Sequence, residues 1–310
     1  MNGKPIPILP ETPRVADLRA RVRAAMEREA VDWKGPARID ERYVSEPLAV
    51  RKARAIACKL SLLPTDLWTG QLFAGSMTLE EPRLHYERSF PDYVTDEERQ
   101  AAAAHGLSIR SVFGHIVPDY AALLSKGLTG IRAEAKAQMP LAENETERAF
   151  LDSVTVALDA VIDYAARLAD HCEAEAESLA AQALDEQRAE ELHRMAANLR
   201  QAPAGPALTF WQALQAVWLL HLVFHSTMNG NAMGRLDQYV WPILQPDLEA
   251  ERLDLAPAAE HVDSYSLKNN ERAHTKEEQR PESRPEKDEQ KQPNRHANST
   301  HNRSNDKSNA

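Results

Sequence analysis

The sequence predicts a predominantly α-helical chain, and three observations carry that prediction. Apolar residues recur at three- and four-residue spacing through most of the first 269 positions. Helix-start signals precede those stretches at Thr12-Pro13, Thr95-Asp96, Pro118-Asp119 and Thr209. Strand-like patterning is confined to the stretch between Pro64 and Tyr93, where Gly70 and Gly75 punctuate short apolar runs.

The elements follow in order. Thr12 caps a first helix with proline in its opening turn and Val15, Leu18, Val22 and Met26 along one face. A second amphipathic helix is expected from Glu46 to about Leu62, followed by loops with one or two short strands up to Tyr93. "TDEERQAAAAHG" reads as a helix closed by Gly106, and Pro118-Asp119 opens another that runs to about Met139. A long helical region spans Thr146 to Leu184, with Phe150, Val154, Leu158, Ile162 and Ala165 as its apolar stripe. A partner helix follows from Asp185 to Leu199. "QAPAGPA" breaks it, and Thr209 caps "FWQALQAVWLLHLVFH", which is apolar nearly all round and is expected to be buried on most faces.

The chain has 310 residues, a formal net charge of -10 and 43% hydrophobic residues. That length holds one large domain or two ordinary ones. The acidic balance argues against nucleic-acid or anionic-membrane binding, which need a basic face. The apolar run at Ala216–Phe224 is about half of a bilayer span. Two distant cysteines, Cys58 and Cys172, form no disulfide or thiolate-cluster pattern and fit a cytoplasmic protein. The expected organisation is a domain over 1–269 and a polar tail over 270–310. That tail contains no Val, Ile, Leu, Met, Phe, Trp, Tyr or Cys, too little apolar area to offset an ordering cost of roughly 1–2 kcal/mol per residue.

Four stretches present chemistry-bearing residues. In "HLVFH", His221 and His225 share a helix face at chelating spacing, but Leu222 stands where the metalloprotease motif has glutamate, so two hydrogen-bonded core histidines are the alternative. "EELH" holds one E-x-x-H, Glu190 and His193, without the second that a di-iron bundle requires. No metal is expected. In "FGHIVPDY", His115 follows Gly114, and Asp119 suits a helix start. "STMNGNAMGRLDQY" places Asn229, Asn231, Arg235 and Asp237 directly after a buried helix. The turn should be held deep, and Arg235 and Asp237 are expected to bond backbone and neighbours rather than each other. A structural polar network and a ligand-pocket wall both fit this stretch.

Several of these segments together resemble one family. "GHIVPDYAALLSKGLTGI" (114–131), "ALTFWQALQAVWLLHL" (207–222), "NGNAMGRLDQYVWPIL" (229–244) and "EHVDSYSLKNNE" (260–271) look like the N-terminal half of the glycyl radical enzymes, the pyruvate formate-lyase-like superfamily. The order and spacing agree over about residues 12 to 270. The resemblance implies an α/β fold, the N-terminal part of a ten-stranded barrel surrounded by helices. It implies lyase chemistry on a small organic substrate, in which a glycyl radical oxidises a cysteine to a thiyl that abstracts hydrogen. A separate activating enzyme with S-adenosylmethionine and an iron–sulfur cluster installs that radical, and the full-length enzyme is expected to be a homodimer.

The chain departs from the pattern. Neither radical-bearing segment matches, so no catalytic residue is assigned, and the thiyl role passes to neither Cys58 nor Cys172. The chain is expected to be a truncated piece that is inactive alone. His115 matches a pocket histidine of the diol-dehydratase branch, while Asn231-Ala232 replaces that branch's His-Ser and is nearer to pyruvate formate-lyase itself. The resemblance therefore marks His115, Asn229, Asn231 and Arg235 as substrate-binding candidates. The competing expectation is a non-catalytic helical scaffold with a disordered tail.

Overall fold

Local capping chemistry sets most helix starts. Thr12 accepts the Val15 amide at 3.3 Å and opens α1 (Pro13–Met26), which buries Val15, Leu18, Val22 and Ala25. Strand β1 (Val31–Trp33) follows. Helix α2 (Leu48–Leu62) begins two residues after Glu46 because Pro47 takes the cap position. Strand β2 (Leu84–Tyr86) pairs with β1 in parallel, Val31 opposite Leu84 and Trp33 opposite Tyr86. Strand β2 falls in the stretch before Tyr93 where short strands are expected; β1 lies outside it. Helix α3 (Asp96–Ala104) carries a full capping box between Thr95 and Glu98, and Gly106 takes φ +69 just beyond its end.

Helix α4 (Tyr120–Gln138) is capped by Asp119, which accepts the Ala122 amide at 2.9 Å. It kinks at Gly127, at φ 66 and ψ 171. A Cβ at residue 127 would lie 2.3 Å from the carbonyl carbon of Gly205, so only glycine admits that close approach. Asn144 caps α5 (Glu145–Ala181), and Asp185 caps α6 (Glu186–Gln201). Helices α7 (Phe210–Thr227), α8 (Leu236–Glu249) and α9 (Leu255–Lys268) complete the order.

The computed structural model describes residues 9–28, 31–33, 35–80, 84–86, 91–107, 116–227 and 231–271. All belong to one unit, Met1–Ala273; the second, His274–Ala310, lies outside the described residues. Among the described residues the fold is helical with one two-stranded parallel sheet. No described helix is long and apolar enough to cross a membrane.

Helix α5 packs against both α2 and α6. Its buried stripe runs through Val161, Tyr164, Leu168, Cys172 and Ala176. This corrects the expected stripe in part: Ala165 is buried, but Phe150 is 60% exposed and Val154, Leu158 and Ile162 are only partly buried. Simple apolar counting overlooked the small residues that let neighbouring helices come close.

Helix α7 is buried as its composition demands, with Ala213, Leu214, Val217, Trp218, Leu219 and Leu222 all at 1% exposure or less. One of its faces satisfies an irregular segment, 71–79, that is buried throughout without being a strand. Trp211 Nε1 donates to the Leu72 carbonyl at 2.9 Å, and Trp218 Nε1 donates to the Gly75 carbonyl at 2.8 Å. Between them the Gln215 carboxamide accepts from the Ala74 amide at 2.9 Å and donates to its carbonyl at 3.1 Å. Positions 211, 215 and 218 recur at four and three, so one helix face reads an extended backbone in place of a neighbouring strand. At the end of α9, Lys268 and Glu271 form a buried ion pair at 2.7 Å, each only 3% exposed as a residue. Lys268 Nζ also donates to Gln71 Oε1 at 2.7 Å and Ser76 Oγ at 2.9 Å, and Glu271 accepts the Met77 amide at 3.3 Å. Both ends of the segment are thereby anchored by side chains.

Candidate functional site

Two loops singled out by their sequences lie side by side. The residues before α4 and those before α8 are joined where the Ala232 amide donates to the Ile116 carbonyl at 3.1 Å. Gly234, at φ +64, sits so near the first loop that a Cβ would come within 2.7 Å of Val117 Cγ1. Tyr120 of α4 and Tyr239 of α8 face each other at 5.4 Å between ring centres. Together these contacts bring "IVPDY" and "NAMGRLDQY" into one wall, although more than a hundred residues separate them in the chain.

Asn231 is 6% exposed, and neither carboxamide atom has a hydrogen-bond partner among the described residues. Each buried polar group left unpaired costs roughly 1–3 kcal/mol, so an unpaired buried amide is a feature that folding alone does not reward. The Asn231 carbonyl is bonded to His225 Nε2 at 3.2 Å. His221 stacks on His225 with ring centres 4.2 Å apart and a tilt of 53°. Burial, then the neighbouring His225, pushes the His221 pKa down to about 3, so its imidazole is neutral at ordinary pH.

Three tyrosines complete the wall. Tyr239 donates to the Met233 carbonyl at 2.7 Å, and Tyr265 of α9 donates to Met233 Sδ at 2.8 Å. The Tyr120 hydroxyl is buried without a described partner. Burial holds all three phenols above their usual titration range, so each stays protonated. An open groove of about 910 Å³ lies between α4 and α8, lined in part by Val117, Asp119, Tyr120, Lys126, Arg235 and Tyr239, and Asn231 and Tyr265 lie outside its lining. The buried groups of the wall are neutral donors and acceptors, while Asp119, Lys126 and Arg235 bring charge to the groove.

The sequence-derived candidates divide as follows. The expectation that the turn is held deep is corrected: Asn231 is buried, but Ala232, Gly234, Arg235 and Asp237 are exposed, because the chain leaves the core there to start α8 at the surface. Arg235 is on the groove rim, and its expected bonding is corrected: its guanidinium grips the Asp237 carboxylate, Nε to Oδ1 at 2.9 Å and Nη2 to Oδ2 at 2.7 Å. Residue 235 is the cap of α8 and has not entered the helix, so the rule that i and i+2 side chains diverge does not bind it. The Arg235 pairing holds the Asp237 pKa below the usual carboxylate range. His115 and Asn229 lie outside the described residues. Glu190 and His193 serve separate partners, Arg194 at 3.7 Å and Glu173 at 2.9 Å. Sequence reasoning missed Tyr120, Tyr239 and Tyr265, though each lies in a quoted motif.

The two thiols are elsewhere. Cys172 is fully buried on α5, and burial pushes its pKa up to about 12. Cys58 lies half-buried on α2, its pKa raised by burial and by Asp40. Neither has a described contact with the two loops, and neither fits a residue that meets a substrate there.

Comparison with known proteins places this arrangement. The profile of the family "Pyruvate formate lyase-like" matches residues 77–285. YbiW of Escherichia coli (strain K12) is 33% identical over 187 residues, 56% of this chain and 22% of its own length. The isethionate sulfite-lyase of Desulfovibrio desulfuricans is 33% identical over 153 residues, 46% of this chain and 18% of its own. A solved chain from work on 1,2-propanediol dehydration in Roseburia inulinivorans superposes with a TM-score of 0.66 at 24% identity, covering 87% of this chain and 41% of that one. The chain thus spans about a fifth of the curated relatives it matches and about two fifths of the solved chain. The profile match takes in more than half of the chain and both loops of the wall apart from its termini, and on that evidence the chain belongs to the pyruvate formate-lyase-like family, that of the glycyl radical enzymes.

Proposed function

We propose that this chain is the N-terminal portion of a glycyl radical lyase and supplies one wall of its substrate pocket. Asn231 is the central group of that wall, with His115, Asn229 and Arg235 as further candidates on the same two loops. The observation that carries this reading is the buried Asn231 carboxamide, left unpaired on a peptide held by both α7 and the loop before α4. In an enzyme of this kind the glycyl radical supplies hydrogen abstraction through a cysteine thiyl. Cys58 and Cys172 do not suit that task, so no step is assigned to them. This chain's part is to bind and orient a small organic substrate through neutral hydrogen-bonding groups. The part of the barrel it would form, the homodimer and the activating enzyme with S-adenosylmethionine and an iron–sulfur cluster belong to this same proposal.

The test is anaerobic incubation of the chain with a cognate activating enzyme and S-adenosylmethionine, read by electron paramagnetic resonance. No glycyl doublet is expected from the chain alone. A doublet would refute the assignment of the radical chemistry to segments other than these.

A further inference from the structure

The carbonyl of Asn231 and the amide of Ala232 are two ends of one planar peptide group. That group is held at both ends by distant parts of the fold: His225 Nε2 binds its oxygen at 3.2 Å, and the Ile116 carbonyl accepts its N–H at 3.1 Å. Such a clamp fixes the plane of the 231–232 peptide, and with it the position of the Asn231 Cα. The side chain carried on that atom is 6% exposed and unpaired. A carbonyl can only accept, so the Nε2 of His225 facing it carries the hydrogen. His221 lies against the other histidine's ring at 4.2 Å and is itself kept neutral by burial, so no imidazolium forms behind the clamp.

We infer that His225 is the positioning residue of this wall: bonded through Nε2–H to the Asn231 carbonyl, it holds in place the backbone that carries the Asn231 carboxamide to the bound molecule. This rests on the reading of the wall as substrate-facing. His225 touches no substrate itself. Its contribution is to remove rotational freedom before binding, which converts directly into affinity. The class of ligand served is one with an uncharged hydroxyl able both to donate to Oδ1 and to accept from Nδ2.

The experiment uses the full chain with ¹⁵N-labelled histidine and asparagine, propane-1,2-diol as the probe, and the variants His225→Leu and His225→Gln. Two nuclear magnetic resonance readouts are followed: the ring-nitrogen shifts of His225, and the side-chain amide of Asn231 during titration with the diol. Nε2 is expected to be protonated. The diol should shift the Asn231 amide in the wild-type chain. In His225→Leu the response should weaken by about fivefold, since a net hydrogen bond is worth about 1 kcal/mol. Glutamine, which restores a donor at similar reach, should recover most of it. An unprotonated Nε2, or an unchanged titration in a folded His225→Leu chain, overturns the positioning role. A protonated Nε2 with no response of the wild-type amide to the diol upholds the clamp but overturns the substrate-facing reading of the wall. If His225→Leu fails to fold, the wild-type ring shifts decide the positioning role: a protonated Nε2 upholds the bond to Asn231 and an unprotonated one overturns it.

Discussion

Replacing Glu271 with glutamine tests the buried anchor of segment 71–79. In the native chain the three hydrogens of the Lys268 ammonium are all used, on Gln71 Oε1, Ser76 Oγ and Glu271 Oε1. The Trp218 ring lies 5.2 Å from the same nitrogen. Glutamine keeps the shape and a carbonyl acceptor but removes the only anion paired with this cation among the described residues. Truncating one partner of a buried pair typically costs about 3–5 kcal/mol, because the other charge stays desolvated. Lys268→Met should cost a similar amount, and the double variant should cost no more than either single change, since no buried charge then remains. Urea unfolding followed by circular dichroism measures all four corners of the cycle. The pH dependence is fixed in sign. Burial raises the Glu271 pKa and lowers that of Lys268. Without Lys268, the folded state holds the Glu271 proton to still higher pH than the unfolded chain does. The Lys268→Met deficit should therefore grow as pH rises above the ordinary carboxylate range, where the carboxylate must ionise in the core. Single variants costing under about 1 kcal/mol, or a double variant equal to their sum, would refute the account.

Two further outcomes follow from the same packing. Gln215→Leu should destabilise the chain by about 2–4 kcal/mol in urea melts, because the Ala74 amide and carbonyl both lose their partner inside the core. His221 has a folded pKa near 3 against an ordinary value of 6.5, so the unfolded chain binds the extra proton and stability should fall as pH drops from 6.5 towards 3. His221→Phe should flatten that slope in acid titrations monitored by tryptophan fluorescence; an unchanged slope would show that His221 is not buried as described.

The helix starts at Thr12, Thr95, Asp119, Asn144 and Asp185 involve a side chain and an amide three residues away, so a window of a few letters already contains both partners. The burial of α7 was legible for a similar reason: its composition leaves no polar face to turn outward. The kink at Gly127 was not, because its cause is the backbone of Gly205, far along the chain. Segment 71–79 shows the same limit. Its glycine and short apolar runs say that it is irregular, yet nothing in those letters says that Trp211, Gln215, Trp218 and Lys268 will supply its hydrogen bonds.

The candidate wall divides along the same line. The sequence by itself determined the family, the helical character and the two motifs that meet, since cap, turn and apolar signals are local and the motif order is written in the chain. Only the tertiary structure decided that Asn231 turns inward while Arg235 stays at the rim on Asp237, and that His225 holds the Asn231 peptide. Those outcomes depend on which of several polar groups comes within bonding distance of a given atom, whether two residues away or far along the chain. Hydrogen-bond geometry over about 3 Å selects among them, and sequence spacing carries no record of that distance.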